Sequence, residues 1–491
     1  MTKALLPTAL VGLAAACASP ATPVLPPPVR EPLQVRAETH AEQPMVADVL
    51  VRLAPGETAE ATEPADPGVR GTNQQMPSGE TRLRLRGLEP GHHHEVVVTA
   101  RDGSGAVRSA RLSVDSPPAL PGYVVSFPVV TSGAPGADYR LFDLQRFPAV
   151  ADSAFYVVDA RGKTRFYLPV ITRLTEKYPV AKVPAGVKLL PDGTLAFLQD
   201  HDFFVLDELG RVVSHVPARA LGVTSLHHDV IRLPTGSFLA IGLSFREIRY
   251  PDEPGPANVG GDSIVEFTAD GKKLWSWDSF DHLDPQKRGE SFFDSVPDPT
   301  RNDAPGYDWM HSNALLYSEA DDSILLSVRH LDTLLSIDHR TGKILYRLGP
   351  GGDFTLESGT WFVHQHGPEW VPGGILVYDN GNRNPNLADT EERSRAIRLA
   401  LDVPRRTARV VWETGGEPYM SPVGGNAYST SAGGVLVLDS FITKNWDSRI
   451  GHARAVEYDA SGKPVWTLEF SDNRSAYRMV PVTRLPGERA P

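Results

Sequence analysis

Apolar residues recur along this chain in short runs that fit strands. Val49-Leu-Val-Arg-Leu and Arg82-Leu-Arg-Leu-Arg alternate apolar and polar positions, the period of a half-buried strand. From about Pro121 onward an order repeats: an apolar strand, a Pro-Gly or acidic turn, a second apolar strand, and later an Asp-x-x-Gly-Lys type of hairpin ending near a Trp or Tyr. The first turns are Leu190-Pro-Asp-Gly, Leu233-Pro-Thr-Gly, Glu319-Ala-Asp-Asp, Val371-Pro-Gly-Gly, Ser431-Ala-Gly-Gly and Arg484-Leu-Pro-Gly. They count six units spaced by roughly 45 to 85 residues, and units of that size made of four short strands predict a six-bladed β-propeller over 121–491. Pro- and Asp-rich stretches such as 278–308 fall between strands as insertions. One unit is split. Outer strands around Ala154-Phe-Tyr-Val-Val-Asp lack a clear inner strand before them, and Tyr477 to Leu485 is an inner strand on its own. Joining the two closes the ring and removes free sheet edges.

Residues 33–120 show shorter alternating strands between Pro and Gly turns. The stretch Gly87-Leu-Glu-Pro-Gly-His-His-His-Glu-Val-Val-Val resembles a fibronectin-type or immunoglobulin-like domain, in which such a turn enters a strand of alternating valines. The expected fold class is therefore all-β, a propeller preceded by a small β-sandwich. His92, His93 and His94 do not make a metal site on this reading, because neighbours on a strand point to opposite faces.

The chain opens with Lys3 and a run of apolar and small residues, Ala4 to Ala16, which reads as an export signal. Cys17, the sole cysteine, follows Leu-Ala-Ala-Ala and resembles the processing site of bacterial lipoproteins, where the cysteine becomes the lipidated first residue. Ala14 departs from the larger aliphatic residue usual three positions before it. Residues 18–32, rich in proline, read as a tether. The expected location is periplasmic or anchored to an outer membrane. With one cysteine no intramolecular disulfide can form.

A hydrophobic share of 41% and a charged share of 22% are those of a globular chain. Its net charge of -11 and the lack of a basic run with interleaved aromatics exclude nucleic acid as a partner. No cofactor is called for, and a homodimer is left open.

The chemistry concentrates on histidine, the side chain that can serve near neutral pH as nucleophile, proton carrier or metal ligand. Trp361-Phe-Val-His-Gln-His holds His364 and His366. The first strand of every propeller blade lines the central channel, so residues at one phase of successive units converge there. Before the first turns stand His227-His228-Asp229, Trp309-Met-His311-Ser-Asn313 and His364-Gln-His366, with Gly425-Asn426 in the next unit. Arg329 follows the second strand of the His311 unit and offers an always-charged anion clamp.

Together His-His-Asp-Val-Ile-Arg-Leu-Pro-Thr-Gly, Asp308-Trp-Met-His-Ser-Asn, Ser327-Val-Arg-His, Gln365-His with Val377-Tyr-Asp-Asn-Gly, and Ser475-Ala-Tyr-Arg are similar to the bacterial arylsulfate sulfotransferase family, over about residues 140–491. That resemblance implies an exported enzyme, independent of a nucleotide sulfate donor, that moves a sulfuryl group from an aryl sulfate to a phenolic acceptor by a ping-pong route through a sulfohistidine. It puts the nucleophile on His366, sulfuryl binding on His311, Asn313 and Arg329, and the further channel histidine on His228. His228 would be the acid and base, preferred over His227 because it adjoins the Asp, and His227 would help bind substrate. The extra His364 and the absence of paired cysteines are departures from the family pattern.

Two other readings stand beside it. A noncatalytic exported propeller could bind an anionic or aromatic ligand in its channel. A metal-dependent hydrolase could use the same histidines, although the sequence has no His-Glu-x-x-His, no clustered carboxylate ligand and no Gly-x-Ser-x-Gly.

Overall fold

The computed structural model describes residues 32–75, 80–146, 153–175, 184–289, 291–292, 294–385, 387–388, 391–443, 452–471 and 473–490. The leader, Cys17 and nearly all of the tether lie outside them. Strands dominate. Among the described residues one short α-helix, Val170–Thr175, interrupts them, and no helix is long and apolar enough to cross a membrane.

The N-terminal strands differ from the expected pair of packed sheets. They form one antiparallel seven-stranded sheet, in the spatial order Val35–Thr39, Val46–Arg52, Glu80–Arg86, Asp66–Gln75, Thr58–Glu63, His93–Arg101, Val107–Asp115. Thr58–Glu63 bonds to neighbours on both sides, so the ladder never breaks, and the sheet curls until its first and last strands approach each other. Alternation supplies the core: Leu83 and Leu85 are fully buried inside. Arg84 and Arg86 leave from the other face and both reach Glu208 at 2.6 Å, while Arg86 also donates to the carbonyls of Pro486 and Gly487. The polar face of this strand is thus an attachment to the rest of the chain. The triple histidine splays as expected, with His93 exposed beside Asp115 and His94 buried against Glu63.

The remaining strands make six sheets, each with four antiparallel strands at its centre. Their first strands are Arg474–Val482, Ala185–Leu189, Ser225–Arg232, Ser312–Ser318, His366–Val371 and Asn426–Ser429. Each touches the first strand of the next sheet, and the sixth touches the first, so the contacts make a closed circuit. Strands from both ends of this part of the chain complete it. Arg474–Val482 pairs with Tyr139–Arg146, a strand not singled out in the sequence, and Val129–Thr131 pairs with Pro464–Glu469.

Packing explains why these strands read as continuous apolar runs. Leu141 packs toward the second sheet with Phe155, Val187 and Phe197, whereas the next residue, Phe142, packs toward the sixth with Leu438 and Trp466. Leu325 and Leu326 divide in the same way between the fifth and third sheets. A sheet covered on both faces needs apolar residues at odd and even positions alike. The outer hairpins are set by local chemistry: Asp459 Oδ1 accepts from the backbone N–H of Ser461 at 2.9 Å and of Lys463 at 3.0 Å, and Gly462 takes the left-handed φ of +83° the turn demands.

Candidate functional site

The first strands carry β-bulges at matching places. Register shifts fall between Ala185 and Lys188, His227 and Val230, Ser312 and Ala314, His366 and Glu369, and Ala476 and Met479. A bulge re-aims side chains that strict alternation would send to opposite faces. Three histidines at or near these bulges hold positive φ, His228 at +62°, His311 at +49° and His364 at +54°. Such a backbone costs a non-glycine residue about 1–3 kcal/mol and persists only where its surroundings impose it. Here they do. Asp229 Oδ2 accepts the Leu315 N–H at 3.0 Å, and Asp332 Oδ1 accepts the His364 N–H at 2.7 Å. Gln365 is tied through its amide to Ser327, Val328 and Thr333. Asp332 and Asp379, which anchor this segment, are both pushed up to about 6 by burial.

The bulges gather the residues expected from the sequence. The rings of His228 and His311 are 4.8 Å apart, and Tyr477 lies 5.8 Å from His228 and 6.0 Å from His366. His227 Nδ1 and His228 Nδ1 are hydrogen-bonded at 2.7 Å, and His227 Nε2 is 3.2 Å from Asp262. The Asn313 amide donates to the Gln365 carbonyl at 2.7 Å and keeps its own Oδ1 without a hydrogen bond among the described residues. His364 stands apart: its Nε2 meets the Ser291 hydroxyl at 3.1 Å, beside the Arg383 guanidinium that donates to the same hydroxyl at 2.9 Å.

His366 is 2% exposed, and burial, then the charge of Arg329, hold its imidazole well below the ordinary range, so the ring is neutral. Its Nδ1 meets Asn380 Oδ1 at 2.7 Å, and the Asn380 amide nitrogen donates to the carbonyls of Ser421 and Gly424. An asparagine committed in this way offers its oxygen, so Nδ1 carries the hydrogen and Nε2 the lone pair. Arg329 is 6% exposed and pushed down to about 10 by burial. It donates to the Pro422 carbonyl at 3.2 Å, its Nε has no hydrogen bond, and no carboxylate stands within ion-pair distance among the described residues. A buried guanidinium so thinly satisfied is a ready anion site.

Below the histidines the middle of the circuit is closed by charge. Asp229 Oδ1 takes Arg478 at 2.9 Å and Lys188 at 2.8 Å, and Arg478 also donates to the Asn313 carbonyl at 3.0 Å. Burial pushes the Asp229 carboxyl up, but Arg478 and Lys188 outweigh it and hold it down. On the far side of this plug is a cavity of about 390 Å³, lined by residues of all six sheets, among them Ile231, Leu316, Glu369, Tyr428 and Pro481.

Several functional neighbours were not assigned from the sequence, namely Asn380, Asp308, His330, Tyr477 and Arg478. All five lie inside motifs that had been read, Val-Tyr-Asp-Asn-Gly, Asp-Trp-Met-His, Ser-Val-Arg-His and Ser-Ala-Tyr-Arg, but motif membership says nothing of partner. His311 Nδ1 is hydrogen-bonded to Asp308 Oδ2, and His330 Nδ1 donates to the Asp308 carbonyl at 2.8 Å. One ligand-capable atom of each of these three residues lies within 4.8 Å of the others, close enough for a metal ion. Each imidazole spends its Nδ1 on Asp308, while the Nε2 of His330 has no hydrogen bond among the described residues.

Two curated relatives match parts of the chain. Arylsulfate sulfotransferase AssT of Escherichia coli O6:H1 is 25% identical over 329 residues, 55% of this chain and 54% of that protein. The protein of the same name from Lelliottia amnigena is 23% identical over 355 residues, 59% of this chain and 56% of its own. The chain thus matches about half the length of each. A solved protein of unknown function from Bacteroides caccae aligns over 71% of this chain and 100% of its own at 13% identity and a TM-score of 0.44, too distant to bear on the fold. The sequence profile described as Arylsulfotransferase (ASST) matches residues 128–478, from the residue before Val129–Thr131 through all six sheets to Arg478 in the plug. A match of that extent, over the whole circuit and its histidines, makes this chain a member of the arylsulfotransferase family.

Proposed function

We propose that the chain transfers a sulfuryl group from an aryl sulfate ester to a phenol, through a sulfohistidine at His366. The carrying observation is the pairing of a buried neutral imidazole, whose Nδ1 is fixed by Asn380, with a buried guanidinium that has no carboxylate partner among the described residues. In this reading the six sheets are the blades of a propeller, and the histidines sit in its central channel above the Asp229 and Arg478 plug. His366 Nε2 attacks sulfur, the bond from sulfur to the aryl oxygen breaks, and its electron pair leaves on that oxygen. The positive charge gained by the ring is spread toward Asn380 through Nδ1–H. Arg329, Asn313 and His311 hold the sulfuryl oxygens, and His227 and His228 line the space for the aryl group. The second phenol then reverses the displacement, so donor and acceptor use one pocket in turn. Donor, acceptor and activity are taken here from the names of the relatives together with this geometry. A purely ligand-binding role leaves the fixed tautomer of His366 without a purpose.

The test is a burst experiment. Mixed with an aryl sulfate alone, the enzyme should release about one equivalent of phenol and gain one sulfuryl group, found on His366 by mass spectrometry. Release of phenol without an adduct, or an adduct on another histidine, would remove His366 from its role. Lipidation of Cys17 and export belong to the same proposal but rest on the leader alone. Loss of an acyl label and of membrane association in Cys17→Ser checks them.

A further inference from the structure

We propose that the cavity on the far side of the plug is a second binding site, which takes a small zwitterion with an apolar body, such as an amino acid with an aliphatic or aromatic side chain. Its carboxylate would lie toward Lys188 and its ammonium toward Glu369. The site is independent of the sulfuryl transfer, from which the plug divides it.

The charges around this cavity are held apart. Its volume of about 390 Å³ falls in the range of roughly 300–1,000 Å³ usual for small-molecule sites. Three charged side chains line it, Lys188, Asp229 and Glu369. Asp229 is already committed: Oδ1 takes both Lys188, at 2.8 Å, and Arg478, at 2.9 Å, and Oδ2 accepts the Leu315 N–H at 3.0 Å. One carboxylate shared by two cations leaves a positive charge over at that end. Glu369 has the reverse shortage. Its Oε2 accepts the Ser429 N–H at 2.6 Å, and among the described residues no Lys, Arg or His stands within ion-pair distance of its carboxylate.

Placement turns this imbalance into a site. Lys188 belongs to the second sheet of the circuit and Glu369 to the fifth, three places on, so they stand on opposite walls of the cavity. Each comes directly after the register shift of its strand, between Ala185 and Lys188 and between His366 and Glu369. The bulge that leaves His366 among the histidines is thus followed at once by Glu369 on the far side of the plug. Ile231, Leu316, Val480 and Pro481 make the wall between the two charges apolar, and Tyr428 adds an aromatic ring. Lys188 keeps 22% of its side chain exposed and Glu369 is half-buried, so a ligand can reach both.

The same shortage is felt by the two groups themselves. Burial, against the pull of Asp229, presses the Lys188 ammonium below its ordinary value, and burial raises the Glu369 carboxyl against the Ser429 N–H. A charge taken from water without a full partner is costly. A simple anion or a simple cation would answer one end and leave the other, whereas a zwitterion answers both. The apolar wall favours a hydrocarbon side chain over glycine.

The test is calorimetric titration of the full chain with L-leucine, L-methionine and L-phenylalanine, beside glycine, phenethylamine, which lacks the carboxylate, and 3-phenylpropionate, which lacks the ammonium. At least one of the three apolar amino acids should bind about tenfold or more tightly than every control. Glu369→Gln keeps an acceptor for the Ser429 N–H and should weaken that amino acid by on the order of 10- to 10²-fold, the worth of a hydrogen bond to a charged group, with 3-phenylpropionate unchanged. If Glu369→Gln fails to fold, a wild-type crystal soaked with the amino acid decides, with density expected between Lys188 and Glu369. The proposal is overturned if none of the three binds and the cavity holds water alone, if a control binds as tightly, if Glu369→Gln binds like wild type, or if the soaked ligand lies elsewhere.

Discussion

Asn380 Oδ1 accepts the Nδ1–H of His366 at 2.7 Å, while the Asn380 amide nitrogen is spent on two backbone carbonyls, at 2.7 Å from Ser421 and 3.0 Å from Gly424. The sheet that supplies the proposed nucleophile therefore also supplies the group that orients it, from the residue directly after the strand Gly374–Asp379 that pairs with His366–Val371. Asn380→Leu removes the acceptor and frees the ring to present either nitrogen. The burst rate should fall by on the order of 10- to 10²-fold with donor affinity little changed, less than the roughly 10⁴ seen when a charged orienter is lost. Pre-steady-state phenol release measures it, and a variant with a wild-type burst would show that the bond is dispensable.

The plug has an energetic signature. Asp229 is 1% exposed and neutralises Arg478, itself 1% exposed, together with Lys188. Asp229→Ala leaves a buried guanidinium without its carboxylate, and should cost about 3–5 kcal/mol in urea unfolding. The double change Asp229→Leu with Arg478→Met should recover much of that stability, although not the support Arg478 gives Asn313. If the double variant is no more stable than the single one, charge pairing is not what holds the plug.

Acid should weaken the fold through the buried imidazoles. Burial, then Arg329 and His330, push His364 down to about 2, so between pH 6.5 and 2 the unfolded chain binds a proton that the folded one refuses. Stability therefore falls as pH drops through that window. Asp332 and Asp379, raised to about 6 by burial, act with the opposite sign between about pH 4 and 6. His364→Gln should shrink the difference in unfolding free energy between pH 7 and pH 5 by about 2 kcal/mol. An unchanged difference would mean that the ring is protonated in the folded state.

Sulfuryl transfer should survive in that same variant, because His364 faces Ser291 and not the space between His228, His311 and His366. Turnover within about tenfold of wild type is expected, against complete loss in His366→Ala. Equal loss in both would make the two imidazoles a joint nucleophilic unit.

The C-terminal strand closes the circuit through its pairing with Tyr139–Arg146 and buries Ala476 and Met479 completely. Removing residues 474–491 exposes the edge of the first sheet and the apolar ends of the layers beside it. The truncated chain should aggregate or unfold without a cooperative transition in circular dichroism. A soluble, cooperatively melting product would refute this role.

The strands were legible because their cause is local. Runs as short as Ser323-Ile-Leu-Leu-Ser-Val, bounded by turn residues, read as strands buried on both faces, and Gly193, Gly236 and Gly433 mark where hairpins reverse. His227, His228, His311, Asn313 and His366 could be grouped in advance because each precedes a repeated turn, whereas Arg329 and the role of each residue came from the resemblance to a family. What the chain alone could not disclose is partner and direction. By the period of a strand, His227 and His228 belong on opposite faces; a two-residue bulge and a left-handed φ bring their Nδ1 atoms to 2.7 Å. That bulge is a property of register against Phe238–Arg249, not of either histidine. Likewise Ser291 reaches His364 across 73 residues and Asp229 meets Arg478 across the whole circuit. Period and turn chemistry are written in neighbouring residues, whereas the charge state of each imidazole depends on which carboxylate or guanidinium the closed circuit sets beside it.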